Sequence, residues 1–291
     1  MKIKEWISRN LYLLLLMPGV ILFVFFLVIP LLWILRISFY ENIPGGYMTA
    51  AWVVENYKKF LGDFWYIRNV IFFSFKIAIG TSFFAVLFAY PLALYIVKSS
   101  GLKKRLLLII SLSPLLISLV CLVLGLLIIL RGEGILNHFA LWAGIISEPV
   151  KYIYTVKGVF ICLIYISIPY VVLSLLDNLS KINPCLEEAA MNVGANRWQS
   201  FLKITFPLST PGMVAGSIVV FSLNLCAFAV PLMVGEDRIP MIGLFVYNQC
   251  MELSNIPFAS ATAIIALVIC IVTLFIYHEL ISKLFFRRLG V

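Results

Sequence analysis

Long apolar runs and short polar stretches alternate along this chain, and the length of the runs dictates what they do. A helix rises about 1.5 Å per residue, so about 20 apolar residues in a row cross the roughly 30 Å hydrocarbon core of a bilayer. Six runs reach that length: Leu11 to Leu35, Asn69 to Val97, Leu106 to Leu130, Gly158 to Leu176, Gly212 to Gly235 and Phe258 to Tyr277. They predict an all-α membrane protein, a six-helix bundle in which residues 1–291 form a single transmembrane domain. Pro18, Pro30, Pro91, Pro114, Pro169 and Pro231 lie in or beside these runs. Neighbouring helices can re-satisfy the backbone groups that proline frees, so kinks are expected rather than breaks. Lys2, Lys4 and Arg9 precede the first run as in a signal peptide. That run is too long for an h-region and no A-x-A-like site follows it, so a retained helix is predicted.

The polar segment between the fourth and fifth runs, residues 183–207, has a pattern of its own. Asn183 followed by Pro184 reads as a helix start, and Gly194 as a stop, giving a helix over Cys185 to Val193. Asn196 can cap a second helix from Arg197 to Ile204, with Gln199 placed as in a capping box, and Pro207 is expected to end it. Ala189 and Ala190 are small enough for another surface to approach, Glu187 and Glu188 add charge, and Trp198 and Phe201 are large for an exposed loop. Two readings fit: a knob on which another protein docks, or an amphipathic loop lying on its own bundle.

Composition sharpens the class. Hydrophobic residues make up 63% of the chain and charged residues 12%, with a mean hydropathy of +1.08; soluble domains carry about a quarter charged residues. If the N-terminus is cytoplasmic, the inner segments hold thirteen Lys and Arg and the outer segments eight, together with eight acids. That bias places both termini and the 183–207 segment in the cytoplasm. The net charge of +9 is then a topology signal, and no nucleic acid is implied.

The six cysteines show no metal-ligand spacing and are expected to be free, buried, small hydrophobes. His138 and His278 are isolated, and no HExxH, GxSxG or phosphate-cradling glycine loop is present, so the chain is expected to be no enzyme and to bind no cofactor itself. Asp177, Glu188, Glu252 and Glu279 are scattered, unlike the clustered acids of a membrane enzyme. An ion-coupled secondary transporter needs intramembrane ionisable groups, and only Lys76 qualifies. It lies eight residues past Arg68, about 12 Å along a helix, where a charge costs at least about 2.5 kcal/mol. It either faces a cavity and favours an anion or a partner carboxylate, or it snorkels to the interface.

The spacing E-A-A, three residues, G, nine residues, I-x-x-P is met by Glu188, Ala189, Ala190, Gly194, Ile204 and Pro207. It resembles the signature loop of type I ABC importer permeases. "ENYKKFLGD" at Glu55 to Asp63, "YPLALYI" at Tyr90 to Ile96, "IPY" at Ile168 to Tyr170 and "PLSTPGMVAGSIVVF" at Pro207 to Phe221 extend the resemblance towards the spermidine/putrescine branch. The resemblance implies a bundle with both termini cytoplasmic in a bacterial inner membrane. Its coupling residues would be Glu187, Glu188, Ala189, Ala190, Gly194, Ala195, Trp198, Ile204 and Pro207, and its candidate path residues Lys76, Tyr170, Asn224 and Phe228. Implied partners are two copies of a cytosolic ATPase carrying ATP and magnesium, a second and different permease, an extracytoplasmic binding protein, and membrane lipid. The implied cargo is a polyamine, with aminoethylphosphonate, opine-type compounds or ferric iron as alternatives.

Overall fold

The apolar runs fold as helices because a backbone in hydrocarbon must satisfy its own polar groups. A computed structural model describes residues 11–43, 47–235 and 239–281. Lys2, Lys4, Arg9, Glu236, Asp237, Arg238, Lys283, Arg287 and Arg288, which carry part of the charge asymmetry, lie outside the described residues, as does the side chain of His278.

The elements in chain order begin with α1 (Leu11–Phe23), a π turn (Val24–Val28) and α2 (Ile29–Ile37). A short antiparallel hairpin of β1 (Glu41–Ile43) and β2 (Tyr47–Thr49) follows, pairing Asn42 with Met48. Next come α3 (Glu55–Gly62), α4 (Phe64–Tyr66), a π turn (Ile67–Phe72) and α5 (Phe73–Lys98). Then follow α6 (Gly101–Leu116), α7 (Leu119–Leu130), α8 (Ile135–Trp142) and α9 (Val156–Leu179). The polar segment gives α10 (Cys185–Asn192), α11 (Arg197–Ser200) and a π turn (Phe201–Thr205), leading into α12 (Phe206–Leu225). A π turn (Pro231–Gly235), α13 (Ile242–Met251) and α14 (Ile256–Ile281) complete the described residues. Six helical stretches among the described residues are long and apolar enough to cross a membrane: Leu16–Ile37, Phe64–Lys98, Leu119–Trp142, Val156–Leu179, Arg197–Leu225 and Ile256–Tyr277.

The chain divides into two compact units. One contains residues up to Phe64 together with Val246–Leu267. In it the Asn56 amide donates to the carbonyls of Ser38 (3.0 Å) and Tyr40 (2.9 Å), the Ser38 hydroxyl meets the Tyr57 hydroxyl at 2.6 Å, and Phe60 packs edge-on against Phe258. The other contains Trp65–Phe245 and the chain from Val268 onward. Its centre is α5, α9 and α12, which pack mainly on one another. Ala85, Ala89 and Ala93 of α5 meet Val171, Val172 and Leu175 of α9 and Val220 of α12. Small residues set the spacing, since helices in lipid associate by close packing rather than by hydrophobic exclusion. A Cβ on Gly216 would lie 3.1 Å from the Val171 Cα, so α12 touches the backbone of α9 directly.

The structure corrects the sequence reading in four places. The run Leu106 to Leu130 is two helices, α6 and α7, separated where Ile117 and Ser118 turn extended. The run Gly212 to Gly235 is also broken: α12 stops at Leu225, and a second helical piece carries Pro231. Pro231 therefore follows a break, whereas Pro18, Pro91, Pro114 and Pro169 sit inside helices, Pro114 shortly before the end of α6. Pro207 does not end the second helix of the polar segment, because helical backbone continues from Arg197 to Leu225. A π turn holds Lys203, whose carbonyl the Pro207 ring would otherwise crowd, and the same device precedes Pro30 at Phe26. Finally, all six cysteines are free, but only Cys162 is buried; Cys121, Cys185 and Cys226 are exposed.

Candidate functional site

In the segment 183–207 both ends of α10 and the start of α11 are closed by the segment's own residues, and α11 runs on into the bundle. The Asn183 side chain accepts from the Cys185 amide at 3.0 Å and starts α10. At the far end the Ala195 amide donates to the Ala190 carbonyl and the Gly194 amide to the Met191 carbonyl, both at 3.0 Å. This pair of bonds is a Schellman closure, which needs a left-handed residue next to the cap. Gly194 supplies it with φ +98°. Asn196 and Gln199 then form the reciprocal capping box, at 2.8 and 3.0 Å.

The two helices are also tied to the bundle. Glu187 accepts from Lys98, at the end of α5, at 3.1 Å, and from the buried Thr205 hydroxyl. The Thr205 bond holds the Glu187 carboxyl below the usual carboxylate range; partial burial opposes this, and Lys98 adds to it. An aromatic chain runs inward from Trp198, which stacks on Phe201 at 5.5 Å. Phe201 and Phe206 meet the Tyr90 ring at 6.1 and 5.7 Å, and the Tyr90 hydroxyl shares a buried 2.8 Å bond with Ser209. Glu187 is thus turned inward, whereas Glu188 and Ala189 are exposed, and Val193 (91% exposed) and Trp198 (67%) present apolar surface to the outside. Ile204 and Pro207 lie half-buried on the helix that carries this surface into the bundle.

Three of the four candidate path residues come together. Tyr170, Asn224 and Phe228 line a cavity of about 290 Å³, walled otherwise by Ser167 and by apolar residues of α6, α7, α9, α12 and the break after it, and no charged side chain among the described residues lines it. Ser167 and Tyr170 put it at the middle of α9. Lys76 is exposed on α5 and does not line this cavity. Sequence reasoning missed the two helix breaks that shape it.

Asn224, 4% exposed, is fixed by two hydroxyls whose own protons are already committed. Thr81 donates to the Ile77 carbonyl (2.8 Å) and Ser167 to the Leu163 carbonyl (2.6 Å), so both can only accept. The Asn224 amide nitrogen donates to both, at 2.9 and 3.0 Å. The network therefore orients the amide, and leaves the carbonyl oxygen Oδ1 without a hydrogen-bond partner among the described residues.

Comparison with known proteins agrees with this architecture. Residues 85–287 match the family described as "Binding-protein-dependent transport system inner membrane component". The chain is 29% identical over 269 residues to the spermidine/putrescine transport system permease protein PotB of Salmonella typhimurium (strain SL1344), covering 92% of each chain. It is 29% identical to PotB of Escherichia coli (strain K12), covering 87% of this chain and 92% of that one. A 144-residue stretch, 48% of this chain and 52% of that one, is 31% identical to the sulfate transport system permease protein CysT of Escherichia coli (strain K12). The fold is similar to a chain in the crystal structure of a bacterial alginate ABC transporter in complex with an alginate pentasaccharide-bound periplasmic protein, with a TM-score of 0.74, 20% identity and 98% of each chain covered. The chain therefore belongs to the inner-membrane components of binding-protein-dependent transport systems: it is a multi-pass permease subunit of an ABC importer, a transport subunit and not an enzyme.

Proposed function

We propose that this permease serves an importer of polyamines, spermidine or putrescine, and that segment 183–207 is the lever through which a cytosolic ATPase drives it. In this reading both termini and the lever face the cytoplasm. Two ATPase copies, holding ATP and magnesium, close against the levers of this chain and of a second, different permease. Glu188, Ala189, Ala190, Val193 and Trp198 supply the docking surface. Gly194 and the capping box keep the two short helices rigid, so that ATPase motion reaches the bundle instead of being lost in local disorder. The ties through Glu187 and through Trp198, Phe201 and Tyr90 carry the motion to α5 and α12. An extracytoplasmic binding protein delivers cargo, which passes the cavity lined by Tyr170, Asn224 and Phe228.

The observation that carries the coupling role is the lever itself: a pair of short helices joined by a closed turn, with apolar residues outside and fixed contacts inside. The substrate rests on likeness to permeases named for spermidine and putrescine over 92% of the chain. An anionic cargo is the second reading, favoured by Lys76 and by the partial likeness to a sulfate permease. The test is ATP hydrolysis by the complete importer in proteoliposomes as binding protein and ligands are added. Hydrolysis that rises with binding protein and spermidine or putrescine is expected. Hydrolysis that ignores both and rises with sulfate, a phosphonate or an opine would move the substrate while keeping the permease. No association with any ATPase would overturn the lever.

A further inference from the structure

We infer that a pocket on the lever beside Arg197 receives an aspartate or glutamate side chain of the cytosolic ATPase. This rests on and deepens the coupling reading, to which it adds a charged contact at a defined place.

The pocket, about 230 Å³, is lined by Lys98 at the end of α5 and by Glu187, Met191, Arg197, Ser200 and Phe201 of the lever. Two cations share its wall with one carboxylate, so it carries a net positive charge. The polar groups on the acidic side are already committed. Glu187 accepts from Lys98 and from Thr205, and the Ser200 hydroxyl donates to the Glu187 carbonyl at 3.4 Å. The basic side is not committed. Arg197 is exposed and has no ion pair and no side-chain hydrogen bond among the described residues, which leaves its fork of N–H donors open. Lys98, whose side chain is 62% exposed, keeps donor capacity beyond Glu187.

An entering carboxylate therefore meets open donors and opposite charge, and a guanidinium holds a carboxylate through two parallel bonds. An entering cation meets the reverse: the acid is occupied and two like charges face it. The surroundings point to the bearer of that carboxylate. Arg197 opens α11, next to Trp198 (67% exposed), and Val193 (91%) precedes it in the turn. A protein that covers these apolar residues covers the pocket with them. The turn from α5 to α6 beside Lys98 adds Lys103, Lys104 and Arg105 and no acid, which favours the approach of an acidic partner surface. Charge pairs at such an edge fix register more than they add raw affinity, and register is what a rigid lever needs from its driver.

The test titrates ATPase onto the permease pair of the complete importer, in detergent and in vesicles of neutral or anionic lipid, at low and at high salt. Arg197→Gln is expected to weaken binding about tenfold at low salt and to flatten its salt dependence; Arg197→Lys should retain that dependence. Arg197→Lys also supplies an amine for a water-soluble carbodiimide. The reagent activates a carboxylate, the amine displaces the urea by-product, and an amide forms with net loss of water. Mass spectrometry is expected to find residue 197 joined to an aspartate or glutamate of the ATPase. A link confined to Glu187 of this chain, or Arg197→Gln binding equal to the wild type at both salts, would overturn the pocket. An effect of Arg197→Gln confined to anionic vesicles would give the pocket to a lipid headgroup and overturn the inference too. The lever is tested separately by a photoreactive amino acid in place of Val193: adducts to the ATPase keep the lever when the pocket fails, and no association of the ATPase in any arm ends both.

Discussion

The lever and the cavity are built by opposite rules. In the lever, helix ends, side chains and charge are matched: Asn183 starts one helix, Gly194 closes it, Asn196 and Gln199 cap the next, and Glu187 meets both Lys98 and Thr205. In the cavity, two helices stop in mid-bundle, and the Asn224 amide on its wall is held by Thr81 and Ser167 through its nitrogen alone. On the proposed reading, a part that transmits force keeps one conformation, with its polar groups spent on itself, and a part that lets a ligand through is looser.

The comparison can be broken most severely at the packing that supports both regions. Gly216→Leu drives a side chain into the Val171 backbone, 3.1 Å away at the Cβ alone, and overpacking costs about 1–3 kcal/mol or more. The expected outcome is a clear fall in thermal stability of the detergent-solubilised protein, with lever and cavity lost together; unchanged stability would show that α9 and α12 are not in such contact. Gly194→Val separates the regions. Nothing lies within 4 Å of the added Cβ, so the cost is conformational and arises from φ +98°, about 1–2 kcal/mol or more for a non-glycine residue. Spermidine uptake should fall about tenfold or more, while protein level in the membrane and spermidine binding stay as in the wild type.

The Glu187 tie should be smaller in effect and specific in its pH dependence. Its carboxyl is held low in the fold, chiefly by Thr205, so the stabilisation is complete above the ordinary carboxylate range and is lost as pH falls through the lowered value. Coupling of hydrolysis to uptake is therefore expected to be flat from about pH 6 to 8 and to weaken only in acid. Glu187→Gln should lower coupling at neutral pH and abolish that acid dependence, as measured by ATP hydrolysed per spermidine imported. Lys76→Met should have the least effect: Lys76 is exposed and off the cavity wall, so uptake and substrate preference should match the wild type. A change of preference towards or away from anions would return Lys76 to the path.

The lever was legible in the sequence because its determinants are local. Asn183 with Pro184, Gly194, and Asn196 with Gln199 each specify a cap within a few residues, and each does so in the structure. The breaks were not legible, because the residues around Ile117 and Cys226 are as apolar as those of an intact span, and hydropathy does not distinguish helix from extended backbone. Proline gave no clear rule: Pro91, Pro114 and Pro169 sit inside helices, Pro231 follows a break, and a π turn lets the helix continue through Pro207. What decides is whether neighbouring elements support the freed carbonyls, which is tertiary information. The pairing of Asn224 with Thr81 and Ser167, far away in sequence, was hidden for the same reason, although Asn224 and Tyr170 themselves were singled out.

The most direct test of the lever is photo-crosslinking from a photoreactive amino acid in place of Val193, the most exposed apolar residue of the segment at 91%, in the intact importer in membranes. The account predicts adducts to the cytosolic ATPase. Adducts confined to lipid or to this chain's own bundle would contradict it, and would make the capped loop an interfacial element instead of a coupling one.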